Sequence, residues 1–193
     1  GVHLHYIENA TYYQGRNRLE AETVADAVMA HFRNSPQLSL GVATFNLDQQ
    51  ELITDVLEKW CREDTWLETQ LTVTEDTPEP SFVKNLENVQ GDERDVILVS
   101  TTYGPDPHTG RVYQRFGPIS SELGWRRLNV IFTRARQRLE LFTSMRSSDI
   151  LIKADAKQGV RILKAYLEYA ETGWLPESSP VTQQSLVRND CEI

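Results

Sequence analysis

Residues 38–45 read LSLGVATF and residues 96–102 read VILVSTT. Both runs are short and apolar without alternation, the pattern of strands covered on both faces. Outward from them, VHLHYI at residues 2–7 predicts a third strand. Asn17 and Glu20 have the spacing of a capping box. Ala21, Val24, Ala25, Val28, Met29 and Phe32 then recur at helical spacing until Pro36 blocks continuation. Asn46 and Gln49 repeat the cap before a second helix striped by Leu52, Ile53, Val56, Leu57 and Trp60. LETQLTVTE at 67–75 predicts a strand and TPEP at 77–80 a turn. A helix is predicted over 122–136, packed through Leu128, Ile131, Phe132 and Ala135, followed by a strand, LELFTS, at 139–144. Val160, Leu163, Tyr166, Leu167 and Ala170 mark a last helix that Gly173 closes. Strands alternating with helices predict an α/β layer fold with a mainly parallel sheet. Such sheets place ligands beyond the carboxyl ends of their strands, which points to residues 46–50, 85–93 and the segment after 102. That last segment, 103–121, holds three prolines and three glycines. A loop so long in a compact domain is functional or disordered.

The chain has 193 residues, 39% hydrophobic and 25% charged, with a net charge of −8. This suits one packed domain and argues against wholesale disorder. An acidic chain is not drawn to nucleic acid by bulk charge, so any such contact needs a local basic surface. Cys61 and Cys191 make neither a metal cluster nor a disulfide framework. With no apolar run long enough to span a bilayer and no signal peptide, the expectation is a cytoplasmic chain without a membrane partner. The absent initiator Met points to processing or to a longer parent. From Pro176 the sequence is polar and aperiodic, so residues 176–193 are expected to form a flexible tail behind a domain spanning 1–175. His3 and His5 have no third ligand nearby in sequence, His108 has only Asp106, and no metal site is expected. Trp60, Trp66, Trp125 and Trp174 read as core or interface anchors.

Two stretches carry chemistry. In VQGDERDVILVS, residues 89–100, Gly91 permits a tight turn or close backbone approach, Gln90 offers donors and an acceptor, and Glu93 an acceptor suited to a hydroxyl. In GWRRLNVIFTRARQRLELF, residues 124–142, Arg126, Arg127, Arg134, Arg136 and Arg138 precede any acid, a sharp inversion in an acidic chain. On a continuous helix Arg127 and Arg134 share a face bordering the apolar stripe, where arginine can hold a phosphate bidentately. Arg126, Arg136 and Arg138 read as a solvated face that pairs with excess acids.

QGDERDVILVS followed by RRLNVIFTRAR resembles motifs V and VI of superfamily 1 helicases, most closely the Upf-like branch. GVATFNLDQQELI, residues 41–53, resembles motif IV of that branch. The chain is also similar to large bacterial helicase-related proteins in which this segment lies near the C-terminus. The resemblance implies the second RecA-like domain of such a motor, a P-loop NTPase-like three-layer sandwich. In these motors ATP lies between two lobes, and the first lobe supplies the phosphate loop and the Mg2+-binding acids. By position Arg134 matches the arginine finger and Glu93 the acid at the nucleotide ribose. Gln90 and Gly91 match the turn that couples the nucleotide and nucleic-acid sites. Thr44, Asn85, Ser100 and Thr101 fall where the family grips a single DNA or RNA strand. Gln50 stands where many members place a second phosphate-reaching arginine. No GxxxxGK[ST] occurs, so the domain lacks its own Walker A loop, and alone it is expected neither to hold ATP tightly nor to hydrolyse it. The implied function is a helicase or translocase motor completed by an N-terminal RecA-like domain of the same polypeptide. The other reading is a degenerate helicase-like scaffold or protein-interaction module.

Overall fold

The computed structural model describes residues 1–174. The strands are β1 (Val2–Tyr6), β2 (Leu40–Thr44), β3 (Phe82–Asn85), β4 (Arg94–Ser100) and β5 (Ala135–Thr143). They form one sheet in the order β1-β5-β4-β2-β3, and every neighbouring pair is parallel. The helices are α1 (Arg18–Asn34), α2 (Leu47–Glu63), α3 (Thr65–Glu75), α4 (Gly124–Phe132) and α5 (Gln158–Thr172), with a 3-10 turn at Gly117–Ser120.

The unalternating apolar runs become the inner strands. Val42, Val96, Leu98 and Phe142 point to one face, where Val24, Val28, Ile53 and Leu57 of α1 and α2 cover them. Ala43, Ile97, Val99, Leu139 and Leu141 point to the other, beneath Leu128 and Ile131 of α4 and Ile162 and Leu163 of α5. The three-layer α/β sandwich with a parallel sheet is therefore as expected. Asn17 and Asn46 cap α1 and α2 through bonds from Glu20 N at 3.2 Å and Gln49 N at 2.8 Å. Gly173 closes α5 by donating to Tyr169 O at 2.7 Å.

Several expectations are corrected. Residues 67–75 are helical: Asp64 caps α3 by accepting from Trp66 N at 2.9 Å, and Leu67 and Leu71, four apart, face the helical layer. The cap and that packing override the β-branched composition. The edge strand β3 was not predicted, because four residues carry no readable period and pairing with β2 creates it. The helix predicted over 122–136 stops at Phe132, with Thr133 Oγ1 turned back to Asn129 O at 2.8 Å. The chain then enters β5 four residues earlier than expected. Arg136 and Arg138 belong to a strand rather than to a helix face. β4 ends at Ser100, before Thr102, whose φ is 68°. The predicted tail, 176–193, lies outside the described residues.

The layer above the sheet is closed by direct backbone approach. A Cβ placed on Gly124 or Gly159 would overlap the Ile119 carbonyl in the 3-10 turn. Gly159→Ala should therefore push α5 off the turn and cost about 1–3 kcal/mol. A urea midpoint equal to that of the unaltered chain would show that these backbones are free to part.

Candidate functional site

The residues singled out in the sequence divide between the two ends of the sheet. Residues 86–93 return from the carboxyl end of β3 to the amino end of β4 along the α4 face. Leu86 and Val89 are buried in the core, while Glu87, Gln90, Gly91 and Glu93 are exposed. Two ion pairs clip this segment to the basic run: Glu87 to Arg127 at 3.2 Å and Glu93 to Arg134 at 3.5 Å. Gly91 has φ 87°, with open space where a Cβ would lie, so the exposed turn needs glycine for its backbone angle.

Arg134 lies just beyond α4. Its Nε donates to Val130 O at 3.0 Å, which fixes the plane of the guanidinium. Its Nη1 and Nη2 reach Glu93 Oε1 and Thr133 Oγ1 only at 3.5 and 3.4 Å. The side chain is 21% exposed. Its carbonyl accepts from Arg94 N at 3.1 Å, placing it at the amino end of β4 and β5. Arg134 thus stands at the opposite end of the sheet from the carboxyl rim: β5 begins at once after it, so its side chain faces sideways along α4. Glu93 is brought to Arg134, Gln90 and Gly91 lie in the exposed turn that precedes Glu93, and Gln50 lies at the other end of the sheet.

The remaining arginines behave as a charged surface. Arg136 contacts Glu79 at 2.5 Å and Asp95 at 3.2 Å, and Arg138 contacts Glu140 at 2.7 Å. The Arg136 hydrogen bonds hold the Glu79 carboxyl down at about 2. The Ser39 N–H and then Arg136 do the same for Asp95. Arg126 lies over the Trp125 ring at 5.2 Å.

At the carboxyl rim, Thr44, Asn85, Ser100 and Thr101 are all buried. Thr44 Oγ1 donates to Asn46 O at 2.7 Å, Asn85 Oδ1 accepts from Glu87 N at 3.0 Å, and Thr101 Oγ1 lies 3.0 Å from Thr143 Oγ1. Gln50 Oε1 accepts from Asn85 N at 2.7 Å, stapling α2 to the end of β3. These side chains are turned inward and present no surface to a strand, because the amino ends of α1 and α2 cover the ends of β2 and β4.

Sequence reasoning missed what covers them. The second half of the expected capping box is diverted: Asn17 N donates to Gln49 Oε1 at 2.8 Å, and Gln49 Nε2 returns to Asn17 O at 3.0 Å and to Ser100 Oγ at 3.2 Å. Freed from the cap, Glu20 Oε1 accepts from Ser100 Oγ at 2.5 Å and Thr102 N at 2.7 Å. Burial pushes its carboxyl up to about 8 against the lowering effect of these two bonds. The signal was present in Asn17, Glu20 and Gln49, but their partners are non-local.

Residues 5–146 match the family of AAA domains. The chain belongs to that family. It is 36% identical over 190 residues to the uncharacterized ATP-dependent helicase MG140 of Mycoplasma genitalium, covering 97% of this chain and 16% of that protein. The MG140 homolog of Mycoplasma pneumoniae is 37% identical over 171 residues, covering 87% of this chain and 15% of that protein. The chain thus spans about one-sixth of the length of these relatives. It is a helicase-like domain, as its motif V and VI residues imply. Among solved structures, the C-terminal domain of a possible DNA helicase from Lactobacillus plantarum aligns at 16% identity and TM-score 0.40, over 83% of this chain and 77% of that one. T. fusca Cas3 with ADP aligns at 12% identity and TM-score 0.46, over 94% and 23%.

Among the described residues of this AAA domain no metal-binding group of three His, Cys, Asp or Glu occurs, and no helix is long and apolar enough to cross a membrane.

Glu20 yields a pH prediction. Folded, its carboxyl titrates near 8; unfolded, near 4.5. The folded chain therefore binds more protons between those values, and stability falls as pH rises through that window. Glu20→Gln, uncharged throughout, should flatten this decline in urea midpoint. An equal slope in the two proteins would remove Glu20 as its source.

Proposed function

We propose that this chain is the second motor domain of an ATP-dependent superfamily 1 helicase or translocase acting on DNA or RNA. Its partner in this reading is an N-terminal RecA-like domain of the same polypeptide. The observation that supports it is the state of Arg134: the guanidinium is anchored through Nε, while both terminal nitrogens hold only long contacts on a partly exposed face. The residues present fit a triphosphate held by another lobe, since they offer a fixed guanidinium beside an exposed carboxylate and a glycine turn, with no phosphate loop of their own.

Bound between the lobes, ATP supplies the phosphoryl group transferred to water, with Mg2+ held by the first lobe. Arg134 then exchanges its long contacts for bidentate bonds to phosphate oxygens and neutralises the charge that builds there. Glu93, released from Arg134, accepts from a ribose hydroxyl. Gln90 and Gly91 lie on the segment that joins this face to Asn85 at the carboxyl rim, so lobe closure can be felt at both ends of the sheet. Grip on a single strand falls to the exposed parts of the rim, since Thr44, Asn85, Ser100 and Thr101 are occupied internally.

One observation favours the scaffold reading. Gln50, where an arginine is common in the Upf-like branch, carries no charge and is tied to Asn85 N.

The test is Arg134→Ala in the longer polypeptide. ATP turnover should fall about 10³- to 10⁵-fold with the circular dichroism unchanged. Turnover retained by the variant overturns the finger assignment, and a parent without strand-stimulated turnover establishes the scaffold.

A further inference from the structure

The long loop predicted over 103–121 is ordered, and the helicase motifs do not account for it. Pro105 and Val112 form an antiparallel bridge, and Asp106 N donates to Arg111 O at 2.9 Å. Asp106 Oδ1 accepts from the N–H groups of His108 and Thr109, each at 2.9 Å, and so closes the turn. Gln114 anchors the loop's return by donating to Asp149 O at 2.9 Å and accepting from Leu151 N at 3.1 Å. Held in this way, the loop crosses the carboxyl end of β5 and meets the segment that leaves β1, where Tyr12 N donates to Pro105 O at 2.9 Å.

Between the two segments runs a groove of about 440 Å³, within the size range of ligand clefts. Tyr103 is buried within it, its ring 5.1 Å from Tyr12 and 5.5 Å from Phe116, so the floor is an aromatic column rooted in the core. Its walls are Tyr13 and Tyr113, 50% and 55% exposed. The Tyr13 ring is braced edge-on by His108 at 5.8 Å, and the Tyr113 hydroxyl lies 3.4 Å from Thr109 Oγ1. Two half-exposed rings braced by neighbouring residues of the 103–121 loop are surfaces prepared for another flat ring.

The charge is of matching sign. Residues 9–19 and 103–121 carry Arg16, Arg18, Arg111 and Arg115 against Asp106, which also lines the groove, and Asp48 of α2, which packs on Gly15 near Tyr12 and Tyr103, in a chain of net charge −8. Arg16 and Arg18 are paired with Glu51 and Glu22. Arg115, which lines the groove, and Arg111 are exposed, and among the described residues no partner engages either guanidinium. Rings spaced along a cleft beside an unneutralised arginine match bases joined through a phosphate.

We infer that this groove is a stacking site for single-stranded nucleic acid, with Tyr13 and Tyr113 taking bases and Arg115 a phosphate. The choice of a strand rests on the motor reading; the groove itself does not. It also supplies what the buried Thr44, Asn85, Ser100 and Thr101 cannot: exposed side chains at the carboxyl rim.

The experiment is anisotropy of a fluorescein-labelled oligothymidylate with the 193-residue chain over a salt series. Tyr13→Ala and Tyr113→Ala should each weaken binding about 5- to 150-fold, the loss for one stacked base, while Tyr13→Phe and Tyr113→Phe keep most of it. Arg115→Ala should lower the slope of log affinity against log salt by about 0.7, the release expected for one phosphate on a single strand. An unaltered chain that fails to bind, or alanine variants that bind as well as it does, overturns the groove. Thymidine monophosphate competing at the oligomer's own affinity overturns the strand in favour of a free nucleotide. Loss of strand binding in the tyrosine variants alongside turnover retained by Arg134→Ala keeps the groove and removes the motor; the opposite pair of results does the reverse.

Discussion

Double-sided burial of β4 holds the two polar ends of this sheet at a fixed separation. Val96, Ile97, Leu98 and Val99 are each at most 1% exposed, and β2 and β5 flank the strand in parallel register. A strand that loses water on both faces and pairs on both edges has no soft direction. Its seven residues make a strut roughly 20 Å long. Glu93 and Arg94 lie at one end, and Ser100 to Thr102 at the other.

The two ends are chemically unlike. At the amino end carboxylates and arginines meet in partly exposed pairs: Glu93 with Arg134, and Asp95 and Glu79 with Arg136. Exposed pairs of this kind contribute little to stability and exchange partners readily. At the carboxyl end the polar groups are buried and mutually satisfied, with Asn17, Gln49, Ser100 and Glu20 joining α1, α2 and β4. A network of that kind specifies one arrangement because any unpaired member would be costly. The open aromatic groove sits beside this rigid knot, so its rings are held by ordered backbone. Residues 86–93 run between the ends, clipped to α4 by Glu87 and Glu93. They join Glu93, in contact with Arg134, to Asn85 by one short stretch of chain.

By itself the sequence determined the elements whose signals are local. LSLGVATF and VILVSTT read as strands buried on both faces and supply β2 and most of β4, the stripes of α1, α2 and α5 follow from periodicity, and Asn17 and Asn46 cap their helices as their spacing requires. The crowding of arginines between 126 and 138, and its likeness to a helicase motif, were equally visible. Tertiary structure alone decided where those residues stand. A run of arginines reads alike on a helix or a strand until β4 offers Ala135 a partner, so the switch at Thr133 and the sideways aim of Arg134 were hidden. Thr44, Asn85, Ser100 and Thr101 read as polar residues beyond strand ends, yet the starts of α1 and α2 close over them. Glu20 looked like a capping residue, and it lost that bond to Gln49, thirty-two positions from Asn17. Periodicity and capping act within a turn or two of chain, whereas burial and hydrogen-bond partners are settled by segments that meet only once the sheet has formed.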